Sequence, residues 1–210
     1  VLKANPNHLD ALSLMAAVNI RLGQADKAQP YIDRAGKVNT GYHGLPLAIA
    51  EWLSAGRQFE QAEKYYRQAI SLAPEQAEPI TGLGRMFLQT GDEDKALETL
   101  KKAHEIDDFR ADVVNFLNLL NKMKDYMVRQ TDHFIVKVDG TLDAILADQV
   151  AEYMEKIDKE ITADYAHAPA EKTIVEFFPN HADFSVRITG RGWIGTVGAS
   201  TGRVIALVAP

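Results

Sequence analysis

Apolar side chains recur through residues 1–126 with the period of amphipathic helices, and the helices themselves recur every 34 residues. The clearest unit runs from Ala77 to Arg110, with Leu83, Gly84, Phe87, Gly91, Ala96, Leu100 and Ala103 as its small and large apolar positions. Gly84 and Ala96 let two helices approach closely, Phe87 and Leu100 fill the space beside them, and Gly91 ends the first helix. Asp92, Glu93 and Asp94 cap the second helix and set carboxylates at its positive end. One repeat back, Ile49, Ala50, Leu53, Ala62, Tyr66, Ala69 and Pro74 fall on the same offsets. A further step back finds Met15, Ala16, Gly23, Ala28, Ile32 and Ala35. A third leaves Pro6 as the closing proline of a repeat whose body is missing, so the chain reads as a fragment of something longer.

The expected layout is a repeat tail at 1–7, repeats at about 9–42, 43–76 and 77–110, and a capping helix at 111–126. His8 to Gly23 and Asp26 to Val38 are the helices of the first repeat, with Pro30 early in the second of them. In the next repeat Leu45-Pro46 delays the first helix, Gly56 ends it, and Phe59 to Leu72 is its partner. The period then changes. Residues 127–132 read as a linker, and His133 to Asp139 alternates like a strand. After Gly140, Thr141 opens a long amphipathic helix carrying Leu142, Ile145, Leu146, Val150, Tyr153, Met154, Ile157, Ile161 and Tyr165. Lys172 to Phe178 is a second strand, His181 to Val186 a short helix, and Trp193 to Ala199 and Arg203 to Val208 two short strands. This α/β unit ends just after a strand with little cover for one face, and reads as cut short.

Charge narrows the partners. The formal net charge is −6, from 15 basic and 17 acidic residues up to Met127 and 8 and 12 after it. Neither half carries a basic patch, which argues against nucleic acid and anionic membrane as partners. No apolar run approaches the ~18 residues of a membrane span. The chain has no cysteine, which excludes disulfides, thiolate metal sites and thiol catalysis within it. The compartment stays open between the cytoplasm and the periplasm or export.

On the offsets above, residues 1–126 resemble the tetratricopeptide repeat family, departing at the last closing position, where Asp108 replaces proline. The resemblance implies a solenoid that holds a protein or peptide on the concave face of its first helices. The offsets name Ser13, Ala17 and Arg21, then Glu51, Ser54 and Ala55, then Thr81, Arg85 and Gln89 as candidates. The paired Lys and Asn with which some members clamp a chaperone's C-terminus are absent from the matching positions. A groove mixing Glu51 with Arg85 suits an extended peptide, or equally a neighbouring domain.

Residues 133–210 resemble the N-terminal part of the peptidase-MA-like domains, thermolysin-like zinc metallopeptidases of the gluzincin group. The resemblance rests on HFIVKVD, the long helix, VEFFP and the stretch GWIGTVGASTGRVIALV. It implies an edge strand against which a peptide substrate lies, with Trp193, Gly198 and Ala199 as candidates. The glutamate that related aminopeptidases use for a substrate's amine would fall at Thr201, which carries no charge. The family's H-E-x-x-H helix, which holds zinc and the catalytic base, does not occur before Pro210. His104-Glu105 begins that pattern but belongs to a repeat, and is read as a surface residue near a helix end. No catalytic or metal-ligating residue is therefore assigned, no cofactor is expected in this chain, and zinc is expected in the parent protein.

The remaining polar residues read as ordinary surface. His8 and His43 lie in turns between repeats, His133 and His181 open a strand and a helix, and His167 sits in an Ala-rich loop. Glu152, Glu155, Asp158 and Glu160 alternate with Lys156 and Lys159 as a solvated helical face, and Trp193 is a core anchor or a cleft wall. The fold class is an α-helical repeat solenoid of tetratricopeptide type plus a small truncated α/β (α+β) domain with a mixed sheet. Two functions follow. One is an interaction scaffold fused to an incomplete metallopeptidase-like domain, inactive here, whose parent hydrolyses peptides. The other is a non-catalytic scaffold in which the α/β part only mediates binding.

Overall fold

The computed structural model describes residues 1–140 and 144–209. They divide into two compact units, Val1–Met86 with Glu98–Asp108, and Phe87–Leu97 with the chain from Phe109 onward. Together the described residues form nine helices and five strands.

The first unit contains α1 (Leu9–Arg21), α2 (Ala25–Val38), α3 (Gly44–Ala55) and α4 (Phe59–Leu72), with most of α5 (Ala77–Thr90) and the latter part of α6 (Glu93–Ile106). Helix α1 packs on α2 and α3, and α3 on α4. Small residues make these approaches possible: Ala16, Ala28, Ala50, Ala62 and Ala69 are all fully buried. A Cβ on Gly84 would meet Leu100 Cγ at 2.7 Å, so the two helices touch where the sequence places its smallest residue. Tyr66 lies across Gly82 in the same manner. Gly23 ends the first helical segment in the left-handed region, at φ 71°. After α3 that conformation falls on Arg57, at φ 60°, and not on Gly56. Gly56 is required for room instead, since a Cβ there would lie 2.9 Å from Arg21 Nε.

The second unit adds to residues 87–97 the helix α7 (Ala111–Met123), then β1 (Met127–Gln130), β2 (Phe134–Val138), α8 (Ala144–Tyr165), β3 (Thr173–Phe178), α9 (His181–Thr189), β4 (Gly198–Ser200) and β5 (Val204–Val208). The sheet order is β1-β2-β3-β5-β4. Strands β2, β3 and β5 run parallel, and the antiparallel β1 and β4 form its two edges. Helix α8 covers one face over Phe134, Val136, Val138, Val175 and Phe177. Helices α7 and α9 cover the other over Phe178 and Ala206, with Leu119, Met123, Tyr126 and Phe184.

The mixed sheet and the helical repeats agree with the expected fold class, while three local boundaries differ. Residues 127–132, expected as a linker, contain β1. Its side chains are mostly exposed, so it shows no alternation, and its pairing with β2 is closed by Thr131 N–H donating to Phe134 O at 2.9 Å. Of the strand expected from Trp193 to Ala199, only its end joins the sheet: Val197 O accepts from Val208 N–H at 2.9 Å, and β4 runs from Gly198. Helix α9 runs three residues beyond the expected Val186, to a left-handed Gly190 at φ 74°. The expected start of α8 at Thr141 and Leu142 lies outside the described residues, as does the side chain of Ile145.

Candidate functional site

The candidate residues of the first unit separate into buried and accessible sets. Ser13 and Thr81 are buried, and their hydroxyls donate to Leu9 O and Ala77 O of their own helices, each at 2.8 Å. Ala17 is fully buried, and Ser54 is buried with its hydroxyl bonded to the Tyr66 phenol. These four side chains are committed to the bundle. Glu51, Ala55 and Arg85 are exposed. Arg21 is half-buried with its guanidinium 5.6 Å from the Trp52 ring centroid, and its carbonyl accepts from Gln58 Nε2 at 3.2 Å. Gln89, half-buried, belongs to the second unit.

Electrostatics acts within the accessible set. Glu51 is exposed by area, yet neighbouring atoms displace enough water to raise its pKa; Glu78 adds to the rise and Arg85 opposes it. Tyr42 hydrogen-bonds to the Asp10 carboxylate, and its phenol is pushed up to about 12 by desolvation first, then by Asp10 and Glu78. Tyr42 is thus influenced by Asp10 and Glu78, and Glu51 by Glu78 and Arg85. Offset counting did not single out Asp10 and Glu78, although the two share one repeat position and could have been found by it.

The second unit presents the edge strand β4. Val208 N–H donates to Val197 O and Thr201 N–H to Val204 O, so alternation turns the backbone groups of Gly198 and Ser200 to the outer edge. At Gly198 both groups are already engaged by Thr196, whose hydroxyl donates to Gly198 O at 3.0 Å and accepts from Gly198 N–H at 3.5 Å. Gly198 itself is dictated by Leu207, whose Cδ2 would lie 2.9 Å from a Cβ. Ala199 is half-buried against the α7–α9 core. Trp193 is 75% exposed, outside any core, with its ring 6.2 Å from that of His181. His181 is engaged by Thr196 O at 2.9 Å and Ser185 Oγ at 3.2 Å.

Two charged groups in this unit escaped the sequence reading. Glu176, in the middle of β3, is fully buried and pairs with Arg187 of α9, which is 2% exposed. Arg187 Nε lies 2.8 Å from Glu176 Oε2, too bent for a linear hydrogen bond, and its Nη2 donates to Glu176 Oε1 at 3.2 Å and to Leu88 O at 2.9 Å. Burial pushes the Glu176 carboxyl up, and Arg187 draws it back toward the charged form. The one signal was a glutamate inside an otherwise apolar strand. Nearby, Lys137 and Glu93 pair at 2.5 Å. His133 binds Glu155 through its ring at 2.8 Å and its backbone N–H at 2.8 Å, with Asp158 at 3.7 Å, so the expected solvated face of α8 holds a specific bracket.

Among the described residues no three His, Cys, Asp or Glu side chains converge as a metal would require. His104 is half-buried in the last turn of α6 with an unpartnered Nδ1. No helix among the described residues is long and apolar enough to cross a membrane.

Residues 53–120 match the tetratricopeptide repeat family. Over 80 residues the chain is 29% identical to cellulose synthase operon protein C of Pseudomonas fluorescens (strain SBW25), a match covering 38% of this chain and 6% of that protein. Among solved structures, a Thermobaculum terrenum O-GlcNAc transferase mutant aligns at 14% identity with a TM-score of 0.42, over 82% of this chain and 37% of its own. The chain therefore spans only a small part of the length of either. Its helical region is a repeat array of the tetratricopeptide type.

Proposed function

We propose that this chain is an interaction scaffold whose repeat helices α1, α3 and α5 hold a peptide segment of a protein partner. The observation that carries the reading is the accessible charged pair Glu51 and Arg85 on the first helices α3 and α5, beside Ser13, Ala17, Ser54 and Thr81, which the bundle buries. The test is selection of peptides against the full chain from an unrestricted library, followed by binding to two variants. Arg85→Glu is expected to abolish binding of the selected peptides, and Glu63→Arg on α4 to leave it unchanged. Equal binding to both variants would overturn the concave placement.

The α/β part is read, on its resemblance, as the substrate side of a metallopeptidase-like domain whose zinc helix lies elsewhere in the parent protein. The position of Gly198 and Ala199 on an edge strand supports this. Hydrolysis of a peptide by the parent, abolished by a chelator and dependent on an H-E-x-x-H segment, is the expected result. A second reading, assembly without catalysis, is favoured by Thr196, which occupies both edge groups of Gly198 where a substrate strand would pair. The relative's name, cellulose synthase operon protein C, suits a scaffold working beside a polysaccharide synthase. A parent lacking both H-E-x-x-H and stoichiometric metal would decide for it.

A further inference from the structure

The five-stranded sheet treats its two edges differently. At β4 the outward groups of Gly198 are taken by Thr196 of the same chain. At β1 the pairing with β2 ends on Thr131 N–H and Phe134 O, and counting back in twos makes Arg129–Val136 and Met127–Val138 the hydrogen-bonded pairs. The N–H and C=O groups of Val128 and Gln130 therefore point away from the sheet, and among the described residues nothing bonds to them. The side chains leave this edge equally unguarded. Strand edges are ordinarily blunted by free charges, proline or a bulge. Strand β1 has no proline, and its register with β2 is continuous over four pairs. Its one charge, Arg129, is held by Asp148 of α8 at 2.9 Å. Lys137, the cross-strand neighbour of Val128, is likewise held by Glu93. Val128 itself is apolar and 60% exposed.

We infer that the free edge of β1 docks a second copy of this chain, the two β1 strands pairing antiparallel about a two-fold axis through Val128 and joining the two sheets into one. Charge selects this register. With Val128 opposite Gln130 of the second copy, the two Arg129 side chains would face each other, and like charges directly opposite are destabilising. With Gln130 on the axis, Val128 would be carried past the end of the opposing strand. With Val128 on the axis, Arg129 meets Met127 of the second copy, the exposed valines cover each other, and the free backbone groups of Val128 bond to their own equivalents. The two-fold closes both free edges at once, so assembly stops at two chains. Four residues a side make a weak, concentration-dependent contact rather than an obligate one.

The test uses the full chain. In sedimentation equilibrium its mass is expected to rise from one chain toward two as concentration increases. Val128→Lys sets like charges on the axis, and Val128→Pro removes an outward N–H that β2 does not use; each is expected to weaken association about tenfold or more, with the thermal midpoint of Val128→Lys unchanged. Because the chain has no cysteine, a single thiol reports the register. On the axis, Cα atoms about 5.5 Å apart lie within disulfide reach, whereas those of Gln130 would lie ~14 Å apart along the strands. Diamide is therefore expected to cross-link Val128→Cys much faster than Gln130→Cys. A chain that stays single at every concentration, or a dimer unmoved in both Val128→Lys and Val128→Pro, would overturn the proposal. Equal cross-linking of the two cysteine variants would overturn the pairing about Val128, and capture of a different protein's strand by a chain that stays single would assign the edge to that partner instead.

Discussion

Glu176 and Arg187 show how one pair of residues can govern a core. Each is buried past the reach of water, so each depends on the other, and Arg187 also holds the carbonyl of Leu88. Arg187→Met leaves a carboxylate with no cation, and is expected to cost about 3–5 kcal/mol in urea unfolding of the second unit. Glu176→Met together with Arg187→Met should recover most of that loss, because apolar residues of similar volume need no partner. The loss in the single variant should shrink at acidic pH, where the carboxyl, already raised by burial, is neutral. The surface bracket at His133 obeys the opposite logic. Its hydrogen bond to Glu155 raises the histidine above 6.5 and lowers Glu155 from 4.5 to about 2. The histidine's share is complete below 6.5 and fades as pH rises through its raised value; the carboxylate's share is complete above 4.5 and fades as pH falls toward about 2. In Glu155→Gln the NMR titration midpoint of the His133 ring is expected to move down, though Asp132 and Asp158 still face it.

At the scale of elements, the turn between α5 and α6 illustrates what a repeat glycine does. Gly91 has φ 78°, and a Cβ on it would lie 2.3 Å from Ile174 Cδ1 of β3. Gly23, at the equivalent turn of the first repeat, has φ 71° but open space around it. Gly23→Ala is therefore expected to cost only the left-handed backbone penalty, about 1–2 kcal/mol. Gly91→Ala adds a steric clash inside the sheet's core and should cost about 1–3 kcal/mol more, read as the difference between the two thermal midpoints. The helices were legible because periodicity and small residues at fixed offsets report packing directly, as at Gly84 and Ala69. Strand β1 was not, because a short edge strand with exposed side chains leaves no alternation to read. The end of α3 was legible in position but not in mechanism, since Gly56 serves a close approach while Arg57 carries the turn.

For the whole molecule, the useful division is the one the chain draws for itself. The second compact unit includes residues 87–97 and everything from Phe109, so the α/β sheet shares a core with Leu119, Met123 and Tyr126 and receives the Leu88 carbonyl. Residues 133–210 alone lack all of these, together with β1. They are expected to show no cooperative unfolding transition by circular dichroism, whereas a chain beginning at Ala77 keeps these partners and should show one. Sequence offsets found the accessible Glu51 and Arg85, but they also selected Ser13, Ala17, Ser54 and Thr81, which the bundle buries. An offset fixes which face of a helix a residue occupies, not how deeply its neighbours cover it. That depth depends on side chains from other repeats, such as Tyr66 over Gly82.

The Thr196 hydroxyl on Gly198 also has a colloidal consequence. A bare strand edge is a template on which further chains can nucleate, and a three-residue strand closed by its own upstream threonine offers no such seed. Thr196→Val keeps the side-chain shape and removes the guard. Solutions of that variant are expected to scatter more light as concentration rises, while the parent sequence stays clear, which would make one hydroxyl a determinant of how crowded this protein can be and still remain monodisperse.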